Sequence, residues 1–196
     1  MITQRFNGPV EWNLGKANHL FLGLSELIVD LQELLIHNKF KGSTMIEIGS
    51  YMGESTMLFA SSKLFNKIYA IDPLKGNEVF NDTSECSWDE VKDQFNINTR
   101  FFDNIELIQE YSQYTVSKFK DKSIDFIYID ANHTYESVKN DLQLYLPKLK
   151  SNSIIAGHDY CDIKWPGVIE AVNEVLGKPK KVYQDSSWIY VKKDIL

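Results

Sequence analysis

The chain has 196 residues and a formal net charge of −6, from 21 basic and 27 acidic residues. Its hydrophobic fraction of 43% is typical of a globular protein and excludes a disordered chain. The acidic balance argues against a nucleic-acid partner, because phosphate contacts need clustered Lys and Arg. The longest stretch without Asp, Glu, Lys or Arg, residues 17–25, is too short to cross a bilayer.

At this length one domain is expected, over residues 1–196, with an N-terminal helical segment to residue 40 and a sheet over 41–196. No basic patch followed by an apolar run marks a signal peptide at the N-terminus. Cys86 and Cys161 have no metal-ligand spacing and are interpreted as reduced thiols. These features predict a cytoplasmic protein.

The first predicted helix covers about Gly15–His37 and ends before Lys41 and Gly42. Its evidence is an apolar stripe at helical spacing, made by Leu20, Leu24, Leu27, Leu31, Leu34 and Leu35. The stripe predicts that this helix packs against the core with one face.

Strands and helices then alternate along the chain. In order, the predictions are strand Thr44–Gly49, helix Ser55–Leu64, strand Lys67–Asp72, a polar loop over Lys75–Asp89, helix Trp88–Asn98, strand Ile105–Ile108, helix Tyr114–Phe119, strand Ser123–Asp130, helix Tyr135–Leu146, strand Ser153–Gly157, helix Val168–Leu176, and the strands Val182–Tyr183 and Trp188–Val191. The alternation predicts an α/β fold, a doubly wound, mostly parallel, seven-stranded sheet with helices on both faces. The last two strands must form an antiparallel hairpin, because their link is too short for a crossover.

In such sheets, ligands bind beyond the carboxyl ends of the strands. The first strand ends in a turn where Gly49 permits a close backbone approach. Tyr51 stands where the G-x-G-x-x-G fingerprint has its second glycine, so a ligand without a pyrophosphate fits this turn better. A plain strand-to-helix turn, with Ser50 and Ser55 as helix caps, is the alternative.

Asp72 ends the second strand, at a spacing from Gly49 close to that of the ribose-binding carboxylate in nucleoside sites. An Asp before Pro73 is also a common turn residue. Ser112 follows the third strand and would lie near an adenine. Together these residues favour a nucleoside-containing ligand.

The fourth and fifth strands, expected to be neighbours, end in Asp130 and in His158-Asp159. Two carboxylates and an imidazole at close range need a compensating cation. Oxygen ligands favour Mg²⁺, Ca²⁺ or Mn²⁺, and the imidazole shifts the preference toward Mn²⁺, Fe²⁺ or Zn²⁺. His133 lies near the same edge and has the chemistry of a general base. The alternatives are a hydrogen-bonded His158 at a strand end and His133 as a helix cap or surface residue.

The sequence resembles the class I S-adenosylmethionine-dependent methyltransferases, in the subgroup near the macrocin and mycinamicin sugar O-methyltransferases and the cephalosporin-hydroxylase-like proteins. The segments that carry the resemblance are Glu47–Thr56, Ala70–Pro73, Ile129–Glu136, Ala156–Tyr160 and Trp165–Val168. The similarity runs from about Lys41 to Leu176 and implies a Rossmann-like fold.

The resemblance implies that S-adenosylmethionine is the cofactor and that the partner is a small hydroxylated acceptor, a sugar among the candidates. The implied cofactor-binding residues are Glu47, Gly49, Ser50, Gly53, Ser55, Asp72, Ser112 and Asp130. The implied ligands of a divalent cation, Mg²⁺ or Mn²⁺, are Asp130, His158 and Asp159, with His133 as the catalytic base. His158 stands where relatives usually have a carboxylate, and Ala131-Asn132 replaces the common Gly-Asp.

Two other functions remain open at this point. The chain could bind S-adenosylmethionine without transferring its methyl group, which the altered Ala131-Asn132 loop would fit. A nicotinamide-dependent dehydrogenase is less compatible with Tyr51 in the glycine turn. The sequence leaves the acceptor and homo-oligomer formation open.

Overall fold

One seven-stranded mixed sheet organises the protein, which is described by a computed structural model over residues 23–34, 43–75 and 87–191. The strands are β1 (Ser43–Ile48), β2 (Phe65–Ile71), β3 (Ile105–Ile108), β4 (Ile124–Ile129), β5 (Leu149–Gly157), β6 (Lys181–Val182) and β7 (Trp188–Val191). Their order across the sheet is β3-β2-β1-β4-β5-β7-β6, and only β7 runs against the others. The predicted fold class, with its antiparallel C-terminal hairpin, is confirmed.

Helices cover both faces of the sheet, as predicted. They are α1 (residues 23–34), α2 (Glu54–Ser61), α3 (Trp88–Thr99), α4 (Ser112–Thr115), α5 (Tyr135–Tyr145) and α6 (Pro166–Leu176), with 3-10 turns at Val116–Lys118 and Leu146–Lys148. One apolar cluster lies between the sheet and α5 and α6. A second lies on the other face and includes Leu24, Leu27 and Leu31 of α1. The leucines of the stripe that the structure describes therefore pack against the core, as the sequence predicted.

Several predicted boundaries were wrong. The helix predicted at Tyr114–Phe119 is an α-helix at Ser112–Thr115 followed by a 3-10 turn, and β2 begins at Phe65 rather than Lys67. Two other shifts have clear local reasons. The strand β5 begins at Leu149 rather than Ser153. Its residues Lys150–Asn152 are polar and lack the apolar pattern of a buried strand, and the pairing of β5 with β4 is irregular there. The helix α2 ends at Ser61 rather than Leu64, since Lys63 takes a left-handed conformation with φ 59°. Residues 15–22 and 35–37 of the first predicted helix, and most of the predicted Lys75–Asp89 loop, lie outside the described residues.

Strand register brings the ends of β1, β4 and β5 to one level. Ile48 pairs with Ile129, and Ile129 pairs with Gly157. The next residue of each strand, Gly49, Asp130 and His158, therefore lies at the same edge of the sheet. The candidate site residues that the sequence analysis found at the ends of the parallel strands therefore share this edge.

Gly49 allows the turn after β1 to touch the end of β4. Its φ is +87°, and a Cβ built on it would lie 2.0 Å from the carbonyl oxygen of Asp130. Neither the backbone conformation nor the space accepts a side chain. The contact fixes the glycine turn directly beside Asp130.

Among the described residues, no helix has both the length and the apolar character that a membrane span requires.

We expect Gly49→Ala to destabilise the protein far more than Gly177→Ala. Both glycines have positive φ, +87° and +81°, but a Cβ at Gly177 would meet nothing within 4 Å. The Gly177 variant should lose only the conformational cost of about 1–3 kcal/mol, whereas the Gly49 variant must also displace the end of β4. Urea unfolding of the two variants checks this expectation, and equal losses would contradict the close approach.

Candidate functional site

The glycine turn encloses a buried carboxylate. Glu47 is fully buried at the end of β1, and its side chain accepts hydrogen bonds from Ser55 Oγ at 2.5 Å and from the hydroxyl of Thr56. Burial raises the pKa of Glu47 to about 7, although the two hydroxyl groups oppose the shift. The turn therefore holds a carboxylate that a nearby positive charge would ionise fully.

Two other residues of the turn have different surroundings. The hydroxyl of Ser50, which is 2% exposed, has no hydrogen-bond partner among the described residues. A buried hydroxyl without a partner is costly unless a ligand completes it, so Ser50 fits a binding site. Gly53 faces the other way: a Cβ there would lie 2.7 Å from the Phe95 ring of α3.

Asp72 lies against the same turn. Its carboxylate accepts hydrogen bonds from the backbone N–H groups of Tyr51 and Leu74, each at 2.8 Å. Burial raises the pKa of Asp72, and these donors, together with the backbone of Ser50, oppose the shift. A carboxylate offers about four lone-pair sites, so Asp72 keeps acceptor capacity for a ligand hydroxyl group.

Ser112 lies in a polar network that the sequence analysis missed. Its hydroxyl donates to Asp141 of α5 at 2.5 Å, and its carbonyl accepts from Tyr145 Oη at 2.8 Å. Burial raises the pKa of Asp141 to about 6, against the hydrogen bond from Ser112. The signal in the sequence was a carboxylate on the inward face of α5, beside Val138 and Leu142.

Asp130, His133 and Asp159 converge beside the turn. His133 Nε2 lies 2.7 Å from Asp159 Oδ2 and 3.5 Å from Asp130 Oδ1. In the described part of the chain, these three residues form the group whose ligand atoms all lie within 4.8 Å of one another. The structure thus brings together three of the four residues that the sequence analysis selected for this edge, and His133 is among them.

His158, the fourth of those residues, stands beside this group. Its Nδ1 lies 3.4 Å from Asp159 Oδ1 and 3.8 Å from Asp130 Oδ1. The backbone fixes its position, because its N–H donates to the carbonyl of Ile129 and its carbonyl accepts from the Trp188 indole. Its Nε2 is buried and has no partner among the described residues.

The charges of the cluster are strongly coupled. Burial alone would lower the pKa of His133 and of His158, but Asp130 and Asp159 outweigh it and raise each to about 9. Burial would raise the pKa of Asp159, but the two imidazoles hold it below its ordinary value. The two carboxylates therefore require positive charge beside them, from protons or from a cation.

The residue set fits a divalent cation. Two carboxylate oxygens and one imidazole nitrogen are ordinary ligands for such an ion. Asp130, His133 and His158 also help to line a small cavity of about 10 Å³, whose other walls include Val138 and Val168 but not Asp159. This cavity is too small for an acceptor molecule.

Local structure orients Asp159 and His133 in the cluster. Asp159 has a φ of +60°, a left-handed conformation that Asp tolerates better than most residues. The His133 ring stacks on Trp165, with 4.4 Å between ring centroids. Neither the conformation of Asp159 nor the stack of His133 on Trp165 could be predicted from the sequence, since both depend on tertiary packing.

Comparison with known proteins identifies the relatives of this chain. Residues 46–160, more than half of the chain, match the model of a family described as a methyltransferase domain. An uncharacterized protein, R132, of Acanthamoeba polyphaga mimivirus is 31% identical over 140 residues. That match covers 68% of this chain and 59% of the viral protein, so the chain spans less than two thirds of its relative.

Solved structures share the fold. CalS11, a calicheamicin methyltransferase, superposes with a TM-score of 0.61 at 18% identity, over 88% of this chain and 79% of CalS11. Rv0187 from MTB, solved with a cofactor bound, gives a TM-score of 0.57 at 13% identity, over 94% of this chain and 82% of that one. At these identities the likeness concerns the fold.

Glu47 predicts a measurable dependence of stability on pH. Because its pKa rises from 4.5 to about 7 on folding, the folded state binds more protons than the unfolded state between those values. The free energy of unfolding should therefore fall as pH rises through that window, by about 3 kcal/mol from this group.

The variant Glu47→Gln should lack this part of the dependence, while Glu106→Gln, which alters a half-exposed carboxylate on β3, should keep it. Urea unfolding at pH 5 and pH 8 without ligand measures the difference. Parallel behaviour of the wild type and the Glu47 variant would contradict the pKa shift.

Proposed function

Since this chain belongs to the methyltransferase-domain family, we propose that it transfers a methyl group from S-adenosylmethionine to a hydroxyl oxygen of a small molecule. The observation that carries the proposal is the contact between the glycine turn and the Asp130–His133–Asp159 cluster. A cofactor held in the turn would present its methyl group near an acceptor held at the cluster, and methyl transfer needs that proximity.

The first half of the site binds the cofactor. Asp72 would accept the ribose hydroxyl groups with the lone pairs that its backbone partners leave free. The partnerless hydroxyl of Ser50 would hydrogen-bond the methionine part of the cofactor. Glu47 is too deep for the ribose, and its buried negative charge favours a cationic sulfonium over a neutral ligand.

The second half of the site binds the acceptor. Asp130 and Asp159 would hold a divalent cation, which lowers the pKa of a hydroxyl group that it binds. The chain keeps this part rigid, because the stack of His133 on Trp165 fixes the imidazole against both carboxylates. The residues thereby orient the acceptor oxygen toward the methyl group.

His133 has a central place in this chemistry. The resemblance to the sugar methyltransferases makes it the base that takes the acceptor proton, and the geometry also puts its Nε2 within reach of a cation between Asp130 and Asp159. In both roles the imidazole acts at the acceptor and has no part in holding the adenosyl group. Its removal should thus separate turnover from cofactor binding.

The acceptor is proposed to be a small hydroxylated molecule. The solved relative CalS11 is named as a TDP-rhamnose 3'-O-methyltransferase, which makes a sugar hydroxyl a reasonable first class to test. Trp165, whose ring stacks on His133, offers apolar surface to the face of a sugar or an aromatic ring. Phenols and sugars therefore form the first acceptor panel.

We expect Asp72→Asn to weaken S-adenosylmethionine binding at least about tenfold, because the amide cannot accept on both atoms. Asp125→Asn is the matched control, since Asp125 is also a buried carboxylate that accepts a backbone N–H, from Thr44, but lies at the opposite end of β4. Isothermal titration calorimetry measures both, with NADH as a second ligand that should not bind. Tight binding of NADH, or equal affinities in the two variants, would contradict the assignment.

We expect His133→Ala to lower turnover at least about 100-fold and to leave the Kd for S-adenosylmethionine within about threefold. The assay follows transfer of a radiolabelled methyl group to the acceptor panel, with and without a chelator. His37→Ala, which removes an imidazole that the proposal does not use, is the control. Cofactor binding without methyl transfer to any extract of hydroxylated metabolites would favour a non-catalytic binding module, and undiminished turnover in the His133 variant would reject its role.

A further inference from the structure

We infer that His133, rather than His158, completes the cation site with Asp130 and Asp159, and that the site prefers a late first-row cation such as Zn²⁺ to Mg²⁺. The inference deepens the proposed function, on which it rests for the use of the cation. It departs from the ligand set that the family resemblance implies, in which His158 is the ligand and His133 the base.

The distances within the cluster are those of adjacent ligands around one ion. Ligand atoms about 2.1 Å from a common ion lie roughly 3.0–3.4 Å apart when they subtend 90–109°. His133 Nε2 lies 2.7 Å from Asp159 Oδ2 and 3.5 Å from Asp130 Oδ1, on either side of that range. An ion placed among the three atoms needs only small adjustments of the side chains.

The orientation of His133 supports the same conclusion. Its Nε2 lies 2.7 Å from a carboxylate oxygen, yet no hydrogen bond forms, because the imidazole does not point its N–H along that line. A cation shared by the three groups would satisfy the buried nitrogen and both carboxylates.

His158 lies beside the ligands of the cation site and contacts one of them, Asp159. It approaches Asp159 through Oδ1, whereas His133 approaches the same carboxylate through Oδ2. Its nitrogen atoms do not join the group of ligand atoms that lie within 4.8 Å of one another. An imidazole beside the second oxygen of a ligating carboxylate orients that ligand, so His158 is a positioning residue.

The ligand types determine the preferred cation. Mg²⁺ favours oxygen ligands in near-ideal octahedral geometry, while an imidazole nitrogen suits Zn²⁺, Cu²⁺, Fe²⁺ and Ni²⁺. One nitrogen and two carboxylate oxygens supply three ligands, fewer than such an ion takes, so an acceptor hydroxyl could supply another. A set with His158 in place of His133 would have the same composition, so only the identity of the bound nitrogen separates the two assignments.

The direct test is pulsed EPR of Cu²⁺ added to the tag-free, full-length protein without S-adenosylmethionine or acceptor. A metal-bound imidazole gives a characteristic modulation from its remote nitrogen. The modulation should be present in the wild type, absent in His133→Phe and present in His158→Asn. The phenylalanine ring can still stack on Trp165, and circular dichroism verifies that both variants are folded.

Calorimetric titration with Zn²⁺ and Mg²⁺ adds a second readout. The wild type should bind one Zn²⁺ per chain, more tightly than Mg²⁺, and His133→Phe should weaken Zn²⁺ binding at least about tenfold. His133→Asp, which makes the site all-oxygen, should reduce the preference for Zn²⁺ over Mg²⁺ at least about tenfold.

Three results would overturn the inference: a modulation that persists in His133→Phe, a modulation that disappears in His158→Asn, or a wild type that binds no cation. These measurements involve neither cofactor nor acceptor. A protein that binds the cation through His133 but transfers no methyl group would refute the proposed function and leave the ligand assignment standing. If the wild type transfers methyl groups but the modulation persists in His133→Phe, the proposed function stands and the ligand assignment is refuted.

Discussion

The missing side chain at position 49 is the constraint on which the site depends. A Cβ there would lie 2.0 Å from the carbonyl oxygen of Asp130, so only glycine lets the turn after β1 rest on the end of β4. The sheet register then places Asp130 and His158 at the same level, because Ile129 pairs with Gly157. The turn at Gly49 and the end of β4 at Asp130, about eighty residues apart in the chain, thus lie side by side through a backbone contact.

The same edge of the sheet concentrates negative charge at a cost in stability. Glu47, Asp72 and Asp159 are all withdrawn from water to a large degree, and burial raises the pKa of the first two. Carboxylates in such positions are seldom retained for stability alone, because apolar residues would pack as well. A cationic sulfonium and a divalent cation are two kinds of ligand whose positive charge would compensate these carboxylates.

Local patterns in the sequence were sufficient to predict the sheet and which strand ends lie together at one edge. Apolar runs that end in Gly49, Asp72, Asp130 and Gly157 identified the strands, and neighbouring parallel strands place their carboxyl ends together. The left-handed conformation at Lys63 and the irregular pairing near Asn152 moved two boundaries, and neither has a signature that a single sequence displays.

Side-chain partners were harder to predict than positions. The sequence put His133 and His158 at the same edge but gave no means of telling which imidazole faces both carboxylates. That distinction depends on Trp165, which comes from the start of α6 and stacks on His133. The link between Ser112 and Asp141 was missed for the same reason, since it joins two helices across a tertiary contact.

The most direct test of the account is a crystal structure of the protein with S-adenosylhomocysteine and Mn²⁺, recorded with anomalous data. The account predicts cofactor density along the turn from Gly49 to Gly53, with its ribose on Asp72. It also predicts one anomalous peak bounded by Asp130, His133 and Asp159. Cofactor density elsewhere, or a cluster whose three side chains point apart and hold no ion, would contradict it.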